Sequence, residues 1–176
     1  MSTTDAIATL ARYERRVCRR WNRVRSSTLL GVLRLVSRAG DGAFWVLLSL
    51  SLPLVYGRGQ WPVVAQVGVC FALCYPVYRV VKGWLARPRP CVAEAGVVAW
   101  VPPLDQYAFP SGHTMHAAAL SIVLGVAHPD LLWLLVPFSG AVAISRVVLG
   151  LHYPSDVLAG GLLGALVGVV VINLGF

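Results

Sequence analysis

The sequence predicts an all-α protein, an integral membrane helical bundle of about five transmembrane helices preceded by a basic, amphipathic, interfacial helical region. Three observations carry that prediction. Of the 176 residues, 57% are hydrophobic and only 12% are charged, against roughly 25% charged in an ordinary soluble domain. Several uncharged runs approach the ~20 residues that a helix needs to cross a bilayer. The positive charge is unevenly placed, with nine of the 15 Lys and Arg residues before residue 39. This composition excludes a disordered chain, a collagen-like sequence, a small disulfide scaffold and a soluble nucleic-acid binder. It divides the chain into a basic interfacial segment, residues 1–38, and a membrane-embedded domain, residues 39–176.

Residues 1–25 contain no apolar run of signal-peptide length, and their arginines recur throughout. At helical spacing Leu10, Tyr13, Val17, Trp21 and Val24 form one stripe, with Arg12, Arg15, Arg16, Arg19 and Arg23 across from it. That pattern fits a helix lying on the membrane, its arginines against anionic lipid headgroups at about 1 kcal/mol each. No separate folded module presents these arginines to a nucleic acid. Ser27 to Arg38 is too short to span; Leu29, Leu33 and Val36 lie opposite Arg34 and Arg38, as in a second interfacial helix.

Five apolar segments follow: Ala39 to Tyr56, Val63 to Val81, Gly112 to Ala127, Leu131 to Val148 and Val157 to Phe176. Breaks fall at Gly57-Arg58-Gly59-Gln60, at His128-Pro129-Asp130 and at His152-Tyr153-Pro154-Ser155. Gly160, Gly164 and Gly168 make a small-residue ridge suited to close helix packing. Cys18, Cys70, Cys74 and Cys91 have no zinc-like spacing, so neither a metal nor a cofactor is expected. The sequence leaves the oligomeric state open.

Polar residues at the ends of membrane helices are costly and therefore informative. Helix direction alternates across a bilayer, so the end of the second segment, the start of the third and the junction of the fourth and fifth share one face. Three polar clusters fall there: Lys82 to Pro90, Pro110-Ser111-Gly112-His113, and Ser145-Arg146 with His152 and Asp156. Lys82, Arg89 and Arg146 supply fixed positive charge, the arginine forks matching phosphate oxygens. Ser111 suits a helix N-cap that leaves the amides of Gly112 and His113 free for an anion. Asp156, four residues after His152, is placed to hold one imidazole nitrogen. The other nitrogen is then free to attack phosphorus while His113 protonates the leaving oxygen. Arg79, Arg87 and His116 have ordinary structural explanations.

Lys82, six residues, then Arg89-Pro90; Pro110-Ser111-Gly112-His113; and Ser145-Arg146, five residues, His152, three residues, Asp156 together resemble the three-part signature of the type 2 phosphatidic acid phosphatase superfamily. The likeness runs from about residue 40 to the end. It implies a metal-independent phosphatase acting on a membrane lipid phosphate or diphosphate (phosphatidic acid, phosphatidylglycerol phosphate or a polyprenyl phosphate) through a phosphohistidine on His152. It further implies that Lys82, Arg89, Ser111, Gly112 and Arg146 cradle the phosphate, that His113 acts as acid and that Asp156 orients His152. Vanadium haloperoxidases share this pocket but are soluble, which the hydrophobic content opposes.

Membrane members of that superfamily commonly have six spans, and here the basic leader stands in place of the first. With five spans the amino terminus lies on the same face as the polar clusters. Positive residues flanking spans favour the cytoplasm, so the expectation is a protein of the bacterial inner membrane with its site at the cytoplasmic face. An anion or lipid transporter would leave the Pro110–His113 helix start and the His152–Asp156 pairing without a purpose. A non-catalytic lipid-phosphate-binding protein would have no need of the complete polar set.

Overall fold

The structure, a computed structural model, describes residues 3–175, so Met1, Ser2 and the expected last residue of the fifth segment, Phe176, lie outside it. Eight helices follow in order: α1 (Thr3–Trp21), α2 (Ser27–Ala39), α3 (Ala43–Val55), α4 (Trp61–Leu85), the single turn α5 (Pro90–Ala93), α6 (Gly112–Ala127), α7 (Leu132–Val148) and α8 (Pro154–Ile172). Short 3₁₀ turns, Arg58–Gln60 and Pro129–Leu131, precede α4 and α7. Each expected apolar segment thus becomes a helix.

Among the described residues, three helical stretches are long and apolar enough to cross a membrane: Arg58–Leu85, Pro129–Val148 and Pro154–Ile172. The α2–α3 pair makes a fourth only if counted as one span bent by 59°. At 1.5 Å per residue, 13-residue α3 and 16-residue α6 extend only about 20 Å and 24 Å, short of a ~30 Å hydrocarbon core. The expected first span, Ala39 to Tyr56, opens on a joint at Gly40-Asp41-Gly42 and its helix starts at Ala43; Gly42 adopts φ +127°, a left-handed conformation open to glycine. Ser26 caps α2 by accepting from the Leu29 amide, and α2 buries Leu30, Leu33 and Ser37. It packs on α7 instead of resting only on the membrane surface.

The α6–α8 pair is the most intimate in the bundle. The ridge Gly160, Gly164 and Gly168 makes it so: a Cβ on any of the three would fall within 3.0 Å of a carbonyl oxygen of Ser111, Met115 or Ala119. Around this pair the main core collects Trp45, Leu52, Val67, Met115, Leu120, Leu124, Leu135 and Val142. Leu54, Trp84, Trp133, Leu158 and Leu162 remain exposed on the outer faces, where lipid is the solvent.

α1 turns Glu14 and Cys18 to the protein, and Asn22, just past the helix end, continues that side; all three are buried. Leu10, Tyr13 and Trp21 of the expected apolar stripe are exposed, and Val24 lies past the helix end. Arg15 and Arg19 pair with the buried carboxylate of Glu94 at 3.2 and 2.9 Å. These two arginines thus also tie α1 to the protein. The Asn22 side-chain amide donates to the carbonyls of Val98 and Val148 at 2.8 and 3.0 Å. The leader is thereby tied to the long 92–109 loop and to the end of α7.

Candidate active site

The clustered helix ends enclose a cavity of about 430 Å³ lined by Asp41, Tyr78, Arg79, Lys82, Arg89, Asp105, Gly112, His113, His116, Arg146 and His152, within the ~300–1,000 Å³ range of ligand pockets. Lys82 comes from the last turns of α4, and Arg89 from the extended residue before α5. Ser111 caps α6, accepting from the Thr114 amide, which leaves the amides of Gly112 and His113 in the unpaired first turn. Arg146 closes α7, and His152 lies in the link to α8. The Ser111 amide donates to the Asp156 carbonyl at 2.9 Å, joining the starts of α6 and α8.

Of the sequence-predicted residues, Lys82, Arg89, Gly112, His113, Arg146 and His152 line this one cavity. Ser111 and Asp156 are fully buried behind it; the Ser111 hydroxyl is occupied with Thr114, 3.0 Å away. Arg89 is almost fully buried, and its Nη1 stands 3.1 Å from His152 Nε2. A guanidinium can only donate, so Nε2 is the acceptor and a neutral ring carries its proton on Nδ1. Burial, reinforced by the charges of Arg146, Arg89 and Lys82, pushes His152 well below the ordinary histidine range. The ring is thus held neutral, with a lone pair on the cavity side.

The expected His152–Asp156 contact is looser than the spacing suggested. Nδ1 stands 3.7 Å from Asp156 Oδ2, beyond hydrogen-bond reach, and has no other partner among the described residues. Asp156 instead receives Arg87 at 2.6 Å on Oδ1 and the Tyr153 amide at 2.7 Å on Oδ2. Arg87 also donates to Ser155 Oγ at 2.8 Å and to Glu14 Oε2 at 2.9 Å. Burial opposes the charge on Glu14, but hydrogen bonds from Ser155 and Arg87 outweigh it and hold the carboxyl below its usual value.

Three residues escaped the sequence reading. Arg87 looked like an interfacial anchor but links Glu14 to Asp156. Asp41, in the break between α2 and α3, forms a short hydrogen-bonded contact with His113 Nε2; its signal was the carboxylate between two glycines at a supposed span start. Asp105, in the 92–109 loop, bridges Lys82 at 2.5 Å and Arg89 at 2.7 Å. Burial raises the Asp105 pKa, yet Lys82 and Arg89 overcome that and hold it below the usual carboxylate value. An anionic group therefore already bridges two cations of the expected phosphate cradle. Arg146, also nearly buried, donates to Ser37 Oγ while its Nε remains unpaired among the described residues.

The sequence profile of the PAP2 superfamily matches residues 63–176, the stretch containing every cluster except Asp41. The chain belongs to the PAP2 superfamily. It is 34% identical over 151 residues to decaprenylphosphoryl-5-phosphoribose phosphatase of Mycobacterium tuberculosis, covering 84% of this chain and 81% of that one. To an undecaprenyl-diphosphatase of Sulfolobus acidocaldarius it is 29% identical, covering 79% and 67%. The crystal structure of a PAP2-type phosphatidylglycerolphosphate phosphatase from Bacillus subtilis superposes with a TM-score of 0.77 at 24% identity, over 94% of this chain and 86% of that one. This PAP2 protein is an integral membrane lipid phosphatase.

Proposed function

We propose that this PAP2 phosphatase hydrolyses a polyprenyl-type lipid phosphate without a metal, through a phosphohistidine on His152. The observation that carries the reading is the accepting Nε2 of His152 beside Arg89, inside a cavity also lined by Lys82 and Arg146. Phosphoryl transfer chiefly demands positioning and charge neutralisation, and three cations plus a helix N-terminus offer both. Nε2 attacks phosphorus, the new N–P bond replaces the P–O bond to the lipid, and His113 gives its proton to the departing oxygen. Water then attacks the phosphohistidine, His113 takes the water's proton, and inorganic phosphate leaves. Asp156 supports the Nδ1–H side of the ring as positive charge develops.

The polyprenyl class is supported by the names of the decaprenyl and undecaprenyl relatives, both of which describe lipids bearing two phosphoryl groups. The cytoplasmic face is supported by the leader's arginines, since α1 joins the site's end of the bundle through Glu14 and Arg87. Arg16, Arg20 and Arg23, which have no partner among the described residues, remain for anionic headgroups.

Phosphate release from farnesyl phosphate in detergent or vesicles tests the chemistry. We expect activity to persist in EDTA, vanadate to inhibit, and His152→Ala to abolish turnover. Full activity in His152→Ala, or a strict metal requirement, overturns the mechanism. Cysteine accessibility of residue 1 and of the 92–109 loop in intact cells tests the face; both found outside rules out the cytoplasmic placement.

A further inference from the structure

One basic residue of the cavity has no role in the cradle. Phe71, Tyr75, Tyr78, Arg79 and Lys82 all line the cavity from α4. Their spacing of four, three, one and three residues places them on a single helical face. Arg79 therefore faces the cavity, whereas a residue that merely anchors a helix end need not do so. Its situation differs from that of the other cations. Lys82 and Arg89 hold Asp105 and Arg146 holds Ser37. Arg79 has no hydrogen-bond or ion-pair partner among the described residues.

The order along α4 gives this free charge a meaning. Lys82 lies near the helix end, at the reacting centre. Arg79 lies one turn back, about 4.5 Å along the axis. Tyr75 and Phe71 lie further back along the same helix, Tyr75 more than half exposed, and the His116 ring lies tilted against Phe71 at 5.1 Å between centroids. From the reacting end back along α4 the cavity thus presents a phosphate cradle, one unpaired guanidinium and then an aromatic wall. A lipid diphosphate, or a lipid phosphodiester ending in a phosphate monoester, presents the same series: terminal phosphate, second phosphate, hydrocarbon.

We propose that Arg79 is a second-phosphate subsite, reading the phosphoryl group that stays on the lipid after the terminal one is removed. The substrate is then a lipid carrying two phosphoryl groups, and the product keeps the anion bound at Arg79. This inference rests on the phosphatase reading above and adds the identity of the substrate's polar end. Guanidinium forks bind phosphate in bidentate geometry, whereas a simple monophosphate leaves Arg79 without a ligand.

The test compares farnesyl diphosphate with farnesyl monophosphate in the purified full-length protein, for wild type, Arg79→Gln and Arg79→Lys. The ratio of kcat/KM for diphosphate over monophosphate is expected to fall about tenfold or more in Arg79→Gln, chiefly through KM, and to recover in part in Arg79→Lys. In parallel, a farnesyl methylenebisphosphonate is expected to lose more inhibitory potency against Arg79→Gln than a farnesyl monophosphonate does. A ratio unchanged within twofold, or equal loss of both inhibitors, overturns the subsite. Wild-type protein releasing phosphate from neither substrate overturns the phosphatase reading itself, a result separate from any change in the ratio.

Discussion

The guanidinium of Arg87 stands 2.6 Å from the carboxylate of Asp156, more than an ångström nearer than the His152 ring. Asp156 is therefore oriented from the side remote from its histidine. Arg87 is oriented in turn by Glu14 on α1 and lies 4.1 Å over the Tyr153 ring. Removing Arg87 frees the buried Asp156 to swing toward or away from Nδ1. Arg87→Ala is expected to lower kcat by about 100-fold, the scale of an ångström's misplacement at a reacting centre. Vanadate affinity, which reads the phosphate cradle, is expected to change by less than about threefold. Steady-state kinetics with a vanadate titration separate these effects. A parallel loss of vanadate binding would assign Arg87 to the cradle instead.

Asp105 competes with phosphate for Lys82 and Arg89. Asp105→Asn is therefore expected to tighten inhibition by inorganic phosphate about tenfold, while lowering the thermal midpoint of the empty protein by leaving two nearly buried cations unpaired. The direction of the Asp105 pKa fixes the pH behaviour. Because the folded value lies below 3.8, the carboxylate remains ionised throughout pH 5 to 7, and its competition persists there. The mutant-to-wild-type ratio of inhibition constants should be the same at pH 7 and pH 5. A ratio collapsing toward one at pH 5 would mean that Asp105 protonates in that range and that the ion pairs are too weak to hold it.

Asp41 forms its short contact with His113, the residue assigned to protonate the departing oxygen. Losing that carboxylate weakens the general acid, and the loss should grow with the basicity of the leaving group. Asp41→Asn is expected to lower turnover of a prenyl phosphate about 100-fold, but that of p-nitrophenyl phosphate, whose leaving group needs no proton, by less than about fivefold. Equal losses on the two substrates would show that Asp41 holds the α2–α3 joint without aiding proton transfer.

These residues also mark where reading the sequence succeeds and stops. Lys82, Arg89, Gly112, His113, Arg146 and His152 were legible because fixed spacing at the ends of apolar segments forces them onto one face. Asp41, Asp105 and Arg87 were not, because their partners lie 72, 23 and 69 residues away and no periodicity connects them. The leader's tie to the site was hidden for a related reason. Its arginines outnumber its carboxylates, so Glu14 looked incidental; in the fold that carboxylate is buried against Arg87 and joins α1 to the site. The joint at Gly40-Asp41-Gly42 was legible only to within a few residues, because the apolar segment reads from Ala39 while α3 begins at Ala43.

The glycine ridge supplies a control on the fold that is independent of the chemistry. Gly164 abuts the Met115 carbonyl, and an added methyl has no room unless α6 and α8 separate. Gly161, one helical turn before it on a neighbouring face, would place the same methyl 3.9 Å from Thr114 Cγ2, an ordinary contact. Both substitutions gain similar intrinsic helix propensity, so their difference isolates packing. Gly164→Ala is expected to destabilise by about 1–3 kcal/mol, the usual cost of overpacking, and Gly161→Ala to be neutral or slightly stabilising. Because α6 carries Gly112 and His113 while α8 carries Asp156, separating the two helices also opens the cavity's floor. Gly164→Ala should therefore lose activity at temperatures below its unfolding midpoint, a displacement that Gly161→Ala should not show. Thermal inactivation followed alongside tryptophan fluorescence checks both points, and equal midpoints for the two variants would remove the ridge as the determinant of α6–α8 packing.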